Sequence, residues 1–289
     1  MNFKKNYLNY KKVAMFFFVF FLIIIYKYSK YIYVCVNGDI SRIELELILL
    51  AFKTMLAIVL PVFLLTFYIV YKYNEINMDK HYIPNWSHST FLEILIWIIP
   101  ICIVIFLATL SYKSTHLLDP KKSLKSSNPV LFIDAIALDW RWLFIYPQYK
   151  IATINEIFLP KNTAVNFNIT SNSIMNSFFI PDLGSQIYAM AGMKTTLNLK
   201  TGKTGIYKGI SANYSGKGFS NMKFNVHIVE NFSRLNAWIK EVKLSKNKLI
   251  FKKQFLKISK PSGNIFIQYF SYVDPLLFYK IINMIKYQV

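Results

Sequence analysis

The sequence is poor in the residues that hold metals and staple small folds. It carries two cysteines, Cys35 and Cys102, and four histidines, His81, His88, His116 and His227. Cys102 lies inside an apolar run that reads as a helix, which excludes a disulfide framework. No Cys/His cluster has metal-ligand spacing. The histidines stand far apart, so each reads as a surface or interface residue and not as a ligand. Acids are scarce too: 14 Asp and Glu stand against 34 Lys and Arg, for a net charge of +20. Arginine itself is nearly absent, occurring at Arg42, Arg141 and Arg234. With the lysines scattered and Lys, Asn, Ile, Phe and Tyr over-used together, the charge reads as a solvated surface. It does not read as a nucleic-acid face, which would gather its basic residues on one side.

What the chain has in excess is apolar surface: 54% of residues are hydrophobic and 17% aromatic, high for a soluble protein and clumped toward the N-terminus. Lys4, Lys5, Lys11 and Lys12 precede the apolar run Val13–Tyr26, which reads as a signal-peptide core or an uncleaved signal anchor over residues 1–36. Two longer runs follow, Leu47–Tyr71 and Phe91–Tyr112, each sufficient to cross a bilayer core of about 30 Å. Lys53 lies near one end of the first and can snorkel to the headgroups. Pro61 sits mid-span, where a neighbouring helix can satisfy the carbonyl it frees. The short polar loop Lys72–Thr90 makes residues 43–112 an antiparallel transmembrane hairpin. Its loop is expected in the cytoplasm and the chain after Tyr112 outside. Glu93 falls in the first turn of the second run. The helix dipole favours an acid there, and an intramembrane acid equally marks a proton path; the residues leave both open.

From about Asn128 to Glu230, within a domain expected at 113–230, the pattern changes to short strands. Val165, Phe167 and Ile169 alternate with Asn166 and Asn168, and Phe224, Val226 and Ile228 repeat the alternation. Further strands are expected at Val130–Leu138, Trp142–Tyr146, Ile151–Leu159, Ile174–Ile180, Thr195–Leu199 and Ile206–Ser211. Seven or eight short strands in about 100 residues indicate a β-sandwich. Trp140, Trp142, Phe144 and Tyr146 read as core and interface packing on one strand face. The tail, 231–289, reads as helical. Ser233 is expected to cap a helix with the apolar face Leu235, Trp238, Ile239 and Val242. Asp274-Pro275 starts another, with Leu277, Ile281, Met284 and Ile285 on one face. The fold class is thus membrane α + β: a transmembrane helical hairpin, a β-sandwich and a helical tail.

Two segments narrow this further: S-N-S-I-M-N-S-F-F-I-P at Ser171–Pro181 and G-I-S-A-N-Y-S-G-K-G-F-S-N-M at Gly209–Met222. With N-W-S-H-S at Asn85–Ser89, D-W-R-W-L-F-I-Y-P at Asp139–Pro147 and Y-F-S-Y-V-D-P-L-L-F at Tyr269–Phe278, the chain resembles subunit II of the haem–copper terminal oxidases, in the branch of the bo-type ubiquinol oxidases. The resemblance runs over nearly the whole chain and implies a cupredoxin-like sandwich at 113–230 and an aromatic-rich C-terminal element at 231–289. It also implies positions where copper-bearing members hold a dinuclear centre. Here the thiolate positions carry Ser211 and Ser215, the imidazole positions Asn176 and Phe219, and the carbonyl position Asn213; Met222 alone is retained. Hydroxyls and amides do not hold copper as soft sulfur and imidazole do. Asp182 departs from the basic residue this resemblance leads one to expect.

The resemblance further implies that Glu93 marks the mouth of a proton channel running into subunit I. Cys35 stands near the place of a lipid-bearing cysteine. The preceding Ile32, Tyr33 and Val34 are large where the processing peptidase needs small residues, so an uncleaved anchor stands beside lipidation. No cofactor is expected in this chain; haems, copper and the ubiquinol pocket belong to subunit I. The expected partners are subunit I, smaller membrane subunits and membrane lipid. Cytochrome c is not expected, because its basic face needs clustered acids. The place implied is the bacterial inner membrane, multi-pass, with the large C-terminal domain periplasmic. The rivals are subunit II of a cytochrome c oxidase and a membrane-anchored binding module with no oxidase partner.

Overall fold

The computed structural model describes residues 27, 36–73, 87–251, 253–261 and 266–287. The apolar run at 13–26, Cys35, His81 and Trp86 lie outside them. The chain divides into a helical unit, residues 43–119, and a second unit built from the remainder.

The helical unit contains most of helix α1 (Asp39–Lys72) and all of α2 (Thr90–Leu117), both long and apolar enough to cross a membrane. Helix α1 begins at Asp39, not Leu47. The apolar run is only part of the helix. Ahead of it, Ile40, Ser41 and Leu45 are buried while Asp39, Arg42 and Glu46 are exposed, an amphipathic lead-in that a search for apolar runs passes over. Lys53 therefore lies about four turns into the helix and not near its end. Polar side chains within the apolar stretches bond to the preceding turn. Thr54 and Thr66 donate to the carbonyls of Leu50 and Val62, each at 2.8 Å, so neither hydroxyl demands water. Helix α2 runs past Tyr112 because Ser114 and Thr115 bond back in the same way.

The second unit is a sandwich of two main sheets. Its strands are β1 (Leu131–Leu138), β2 (Arg141–Tyr146), β3 (Ile151–Ile154), β4 (Glu156–Pro160), β5 (Ala164–Ser171), β6 (Asn176–Ile180), β7 (Gly184–Ala189), β8 (Thr195–Lys200), β9 (Gly205–Ser211) and β10 (Lys223–Val229). After these come α3 (Phe232–Lys243), β11 (Lys248–Leu249), α4 (Lys253–Ile258), β12 (Gln268–Phe270), β13 (Tyr272–Val273) and α5 (Leu277–Lys286). One sheet has the order β12-β3-β2-β1-β5-β8 and the other β4-β10-β9-β6-β7. Between them Trp142, Phe144, Phe167, Phe178 and Phe224 are buried, with Trp142 edge-on to Phe178 at 5.2 Å and Phe178 stacked on Phe224 at 5.3 Å. Tyr146 shares this burial, and its hydroxyl donates to the carbonyl of Phe158 while accepting from the Phe158 N–H. Burial pushes its pKa up.

The expected strand 151–159 is two strands in different sheets. Asn155, at φ +59°, turns the corner between them. Asparagine tolerates the left-handed region better than most residues, and this one is bonded on every side. Its N–H donates to Trp142 O, its Oδ1 accepts from Trp142 N, and its carbonyl accepts from Asn225 N, each at 2.9 Å. Strand β7 gives no clear alternation in sequence: Gly184 and Ala189 are buried, Ser185 and Ile187 half-buried, and Gln186 and Tyr188 exposed.

The tail is not purely helical. Strand β12 extends the edge of the larger sheet beside β3, and β11 pairs with β13. Phe255, Phe270, Val273, Leu277, Phe278 and Ile281 cover the outer face of that sheet, against Ile136, Leu138, Leu143, Ile145 and Ile154. This cover is why β1 to β3 read as nearly continuous apolar runs: both faces are buried. Leu277 and Ile281 point inward, with Met284 and Ile285 partly buried beside them. The cap of α3 is Asn231, whose side chain accepts from Arg234 N at 3.1 Å; Ser233 lies inside the helix. Its face Leu235, Trp238, Ile239 and Val242 is buried. Asp274 bonds the Leu276 N–H at 3.0 Å, and the helix proper starts at Leu277, two residues after Pro275.

The residues before α1 are seated on the sandwich. The N–H groups of Asn37 and Gly38 donate to Asp182 O at 3.1 and 2.8 Å, and Ser41 Oγ donates to the same carbonyl at 2.8 Å. Asn37 Nδ2 reaches Asp182 Oδ1 at 3.4 Å, which gives the unexpected acid a local role. The approach is close enough that a Cβ on Gly202 would lie 1.6 Å from Asn37 O. On the other side, Pro120 O accepts from Asn198 N at 2.9 Å and from Asn198 Nδ2 at 3.2 Å.

Replacing Asn155 by alanine leaves the buried Trp142 N–H unpaired and puts a Cβ-bearing residue with no compensating side-chain bond in the left-handed region. The expected loss is about 2–4 kcal/mol. Asn155→Gly should lose less, because it keeps the backbone geometry and removes only the acceptor. Chemical denaturation of the full chain in detergent, followed by tryptophan fluorescence, measures both.

Candidate functional site

The positions implied for a dinuclear copper centre converge on one end of the smaller sheet. Asn176 opens β6, Ser211 closes β9, and the loop from Ser211 to β10 carries Asn213, Ser215, Phe219 and Met222. Antiparallel pairing of β6 with β9 sets Phe178 opposite Ser211, which brings Asn176 within reach: Ser211 Oγ donates to Asn176 Oδ1 at 3.2 Å. The loop is closed by Ser211 N donating to Met222 O at 3.1 Å and by a single 3-10 turn at Phe219–Asn221. Asn176, Ser211, Ser215 and Met222 are buried; Asn213 and Phe219 are half-buried.

The polar atoms here are largely committed to one another and to the backbone. Asn176 Nδ2 donates to Ile174 O at 3.0 Å and Asn213 Nδ2 to Met175 O at 3.3 Å. Phe219, at an imidazole position, packs edge-on against Tyr214 with ring centroids 5.7 Å apart. Ser215 Oγ is buried and makes no hydrogen bond among the described residues. A copper pair requires bridging thiolates and imidazoles; two hydroxyls, two amides, a phenyl ring and one thioether do not fit it. Among the described residues no group of three or more His, Cys, Asp or Glu could hold a metal ion.

Trp140 differs from the other three aromatics of its run. Trp142, Phe144 and Tyr146 are core, but Trp140 sits at φ +64° in the turn between β1 and β2. Its indole N–H donates to Ser215 O at 3.0 Å, and its ring lies over Gly218, where a Cβ would come within 2.2 Å. Trp140 thus covers the loop that carries Ser215. The alternation of aromatics concealed this, because the turn at Asp139-Trp140 precedes the strand.

A second cluster escaped the sequence reading. Glu156 is buried; it accepts a short hydrogen bond from the Tyr269 hydroxyl and lies 3.0 Å from His227 Nε2. The His227 ring stacks on Phe158 at 4.4 Å, and Trp238 stacks on Phe158 at the same distance. Burial, reinforced by Glu156, pushes the Tyr269 phenol up to about 12, so it remains a donor at neutral pH. His227 is therefore a partly buried packing residue. The only sequence sign was its position opposite the apolar face of β10, where α3 provides cover. The cluster ties the C-terminal element to the edge strand β4. His88 and His116 belong to the helical unit and are exposed, with the His116 ring 4.4 Å from Tyr112. Glu93 lies in the first turn of α2 and is exposed there. Cys102 is free and exposed.

Residues 146–229 match the family described as cytochrome c oxidase subunit II, periplasmic domain, and residues 243–286 match the COX aromatic-rich motif. The chain is 52% identical over 247 residues to the cytochrome bo(3) ubiquinol oxidase subunit 2 of Buchnera aphidicola subsp. Schizaphis graminum, covering 86% of this chain and 85% of that one. The chain belongs to the subunit II family of the haem–copper quinol oxidases. This subunit II is also 47% identical over 254 residues to the cytochrome bo(3) ubiquinol oxidase subunit 2 of Pseudomonas putida, covering 87% of this chain and 79% of that one. It is 45% identical over 248 residues to the ubiquinol oxidase subunit 2 of Acetobacter aceti, with 85% and 80% covered. Among solved structures, the periplasmic domain of subunit II of the cytochrome oxidase of Bradyrhizobium japonicum is similar at 22% identity and a TM-score of 0.39, over 42% of this chain and 96% of that one.

If only the donor atoms are missing, supplying them should restore metal binding. The variant Asn176→His, Ser211→Cys, Asn213→Glu, Ser215→Cys, Phe219→His is expected to bind two copper atoms per chain and to colour. Metal analysis and visible absorption check this; a folded, colourless variant would show that the frame itself has changed.

Proposed function

We propose that this chain is the non-catalytic subunit II of a proton-pumping ubiquinol oxidase of the bacterial inner membrane. It works beside a subunit I that holds the haems, the copper and the quinol, together with smaller membrane subunits and bound lipid. Electrons pass from quinol to oxygen within that partner and bypass this chain, which has no redox centre of its own and takes no electron from cytochrome c. The observation that carries this reading is the pocket at Asn176, Ser211, Ser215 and Met222, where hydroxyls and amides occupy the places that a copper pair would need. The relatives at 45–52% identity are subunits of ubiquinol oxidases, which supports the quinol as electron donor.

Helices α1 and α2 supply the two spans. The residues just before α1 and just after α2 are both held on the sandwich, at Asp182 and Asn198. That supports an even number of crossings between them, with α2 entering the membrane from the cytoplasmic side. Glu93, in the first turn of α2, then lies near the cytoplasmic surface. Its carboxylate takes up a proton from the aqueous side and hands it toward subunit I. An acid at this depth is a natural first relay, being favoured by the helix dipole while still reached by water.

The assembled oxidase bearing Glu93→Gln or Glu93→Ala should turn over more slowly, by less than the roughly hundredfold cost of losing a proton-transfer group at the reacting atoms, because water still reaches this depth. Its haem spectrum should be unchanged, and Glu93→Asp should retain more activity than either. Oxygen consumption with a quinol donor, alongside the haem spectrum, reads this. Full turnover in both variants of a normally assembled complex would remove Glu93 from the proton path.

A further inference from the structure

Outside the regions described so far, the C-terminal element and the turn end of β2 enclose a half-open cavity of about 430 Å³, within the size range of small-ligand sites. Its lining is unusual in charge. Arg141, Lys246, Lys248 and Lys257 face it together with the amides of Asn247 and Gln268, and no described carboxylate lines it. Four cations around one concavity raise the local concentration of anions and leave an unfavourable self-repulsion that a bound anion would relieve.

Arg141 makes this more than a collection of surface lysines. One nitrogen of its guanidinium, Nη2, donates to Ile258 O at 2.8 Å and Lys260 O at 2.9 Å, which fixes the plane of the group against α4. Its Nε is buried and has no hydrogen-bond partner among the described residues. What Arg141 offers a ligand is therefore the permanent positive charge of a guanidinium held in place by two carbonyls. The acid acting on Arg141 is Asp139, which does not line the cavity and already accepts from Ser173 Oγ at 2.5 Å. Arg141 is one of three arginines in a chain that otherwise uses lysine.

We infer that this cavity is a binding site for a phosphate-bearing anion, with Arg141 as the fixed cation and Lys246, Lys248 and Lys257 as the surrounding point charges. The same chemistry is offered by a soluble phosphate and by a phospholipid headgroup.

The test uses the full chain in a neutral detergent at physiological ionic strength, where the Debye length of about 8 Å suppresses diffuse attraction to the basic surface. Inorganic pyrophosphate and a short-chain phosphatidylglycerol below its micelle concentration are titrated calorimetrically, each alone and in competition. Saturable binding of either, weakened at least tenfold in K246Q/K248Q/K257Q and unchanged in the distant control K208Q/K217Q/K223Q, supports the site. Tighter binding of the lipid, with displacement of pyrophosphate, assigns it to a headgroup; the reverse assigns it to a soluble phosphate. Those six lysines are exposed, so neither triple variant should fail to fold. No saturable binding of either probe overturns the inference. So does binding that survives in the first triple variant, or that falls equally in the control.

Discussion

A buried polar atom has to be bonded to something, and what it bonds to decides what a site can do. At the end of the smaller sheet the bonds run from Ser211 to Asn176, from Asn176 to Ile174 O and from Asn213 to Met175 O. The pairing of β6 with β9 brings together neutral hydrogen-bonding groups. The loop that follows β9 is closed by hydrogen bonds under Trp140. The place of this chain in the quinol oxidase subunit II family rests on its relatives at 45–52% identity.

The rest of the second unit is arranged to be rigid. The larger sheet is buried on both faces, by the aromatic core on one side and the C-terminal element on the other. Asn155 turns the chain from one sheet to the other with all its backbone and side-chain acceptors engaged. Glu156, the next residue, anchors Tyr269. One corner therefore joins both sheets and the tail. The segment ahead of α1 is seated on the same body through three bonds to one carbonyl, that of Asp182.

Much of this was legible in the residues. The apolar runs located both long helices, and the alternation at Val165–Phe167–Ile169 and Phe224–Val226–Ile228 located strands with one buried and one half-buried face. What could not be read were features set by tertiary contacts. The start of α1 at Asp39 depends on burial of Ile40 and Leu45, which an apolar window does not register. The split at Asn155 depends on Trp142, thirteen positions away in sequence. The Glu156–Tyr269 bond joins residues 113 positions apart, and neither side chain announces the other. The lost ligand positions were legible only by resemblance: spacing alone does not distinguish Ser211 and Ser215 from any pair of serines on a turn.

The most direct test of the central claim is the metal content and near-infrared absorption of the native chain purified with its partner subunits. The expected result is copper in no more than the amount that subunit I accounts for, with no absorption band from a mixed-valence copper pair. Two additional copper atoms per complex, with that band present in the isolated native chain, would contradict it.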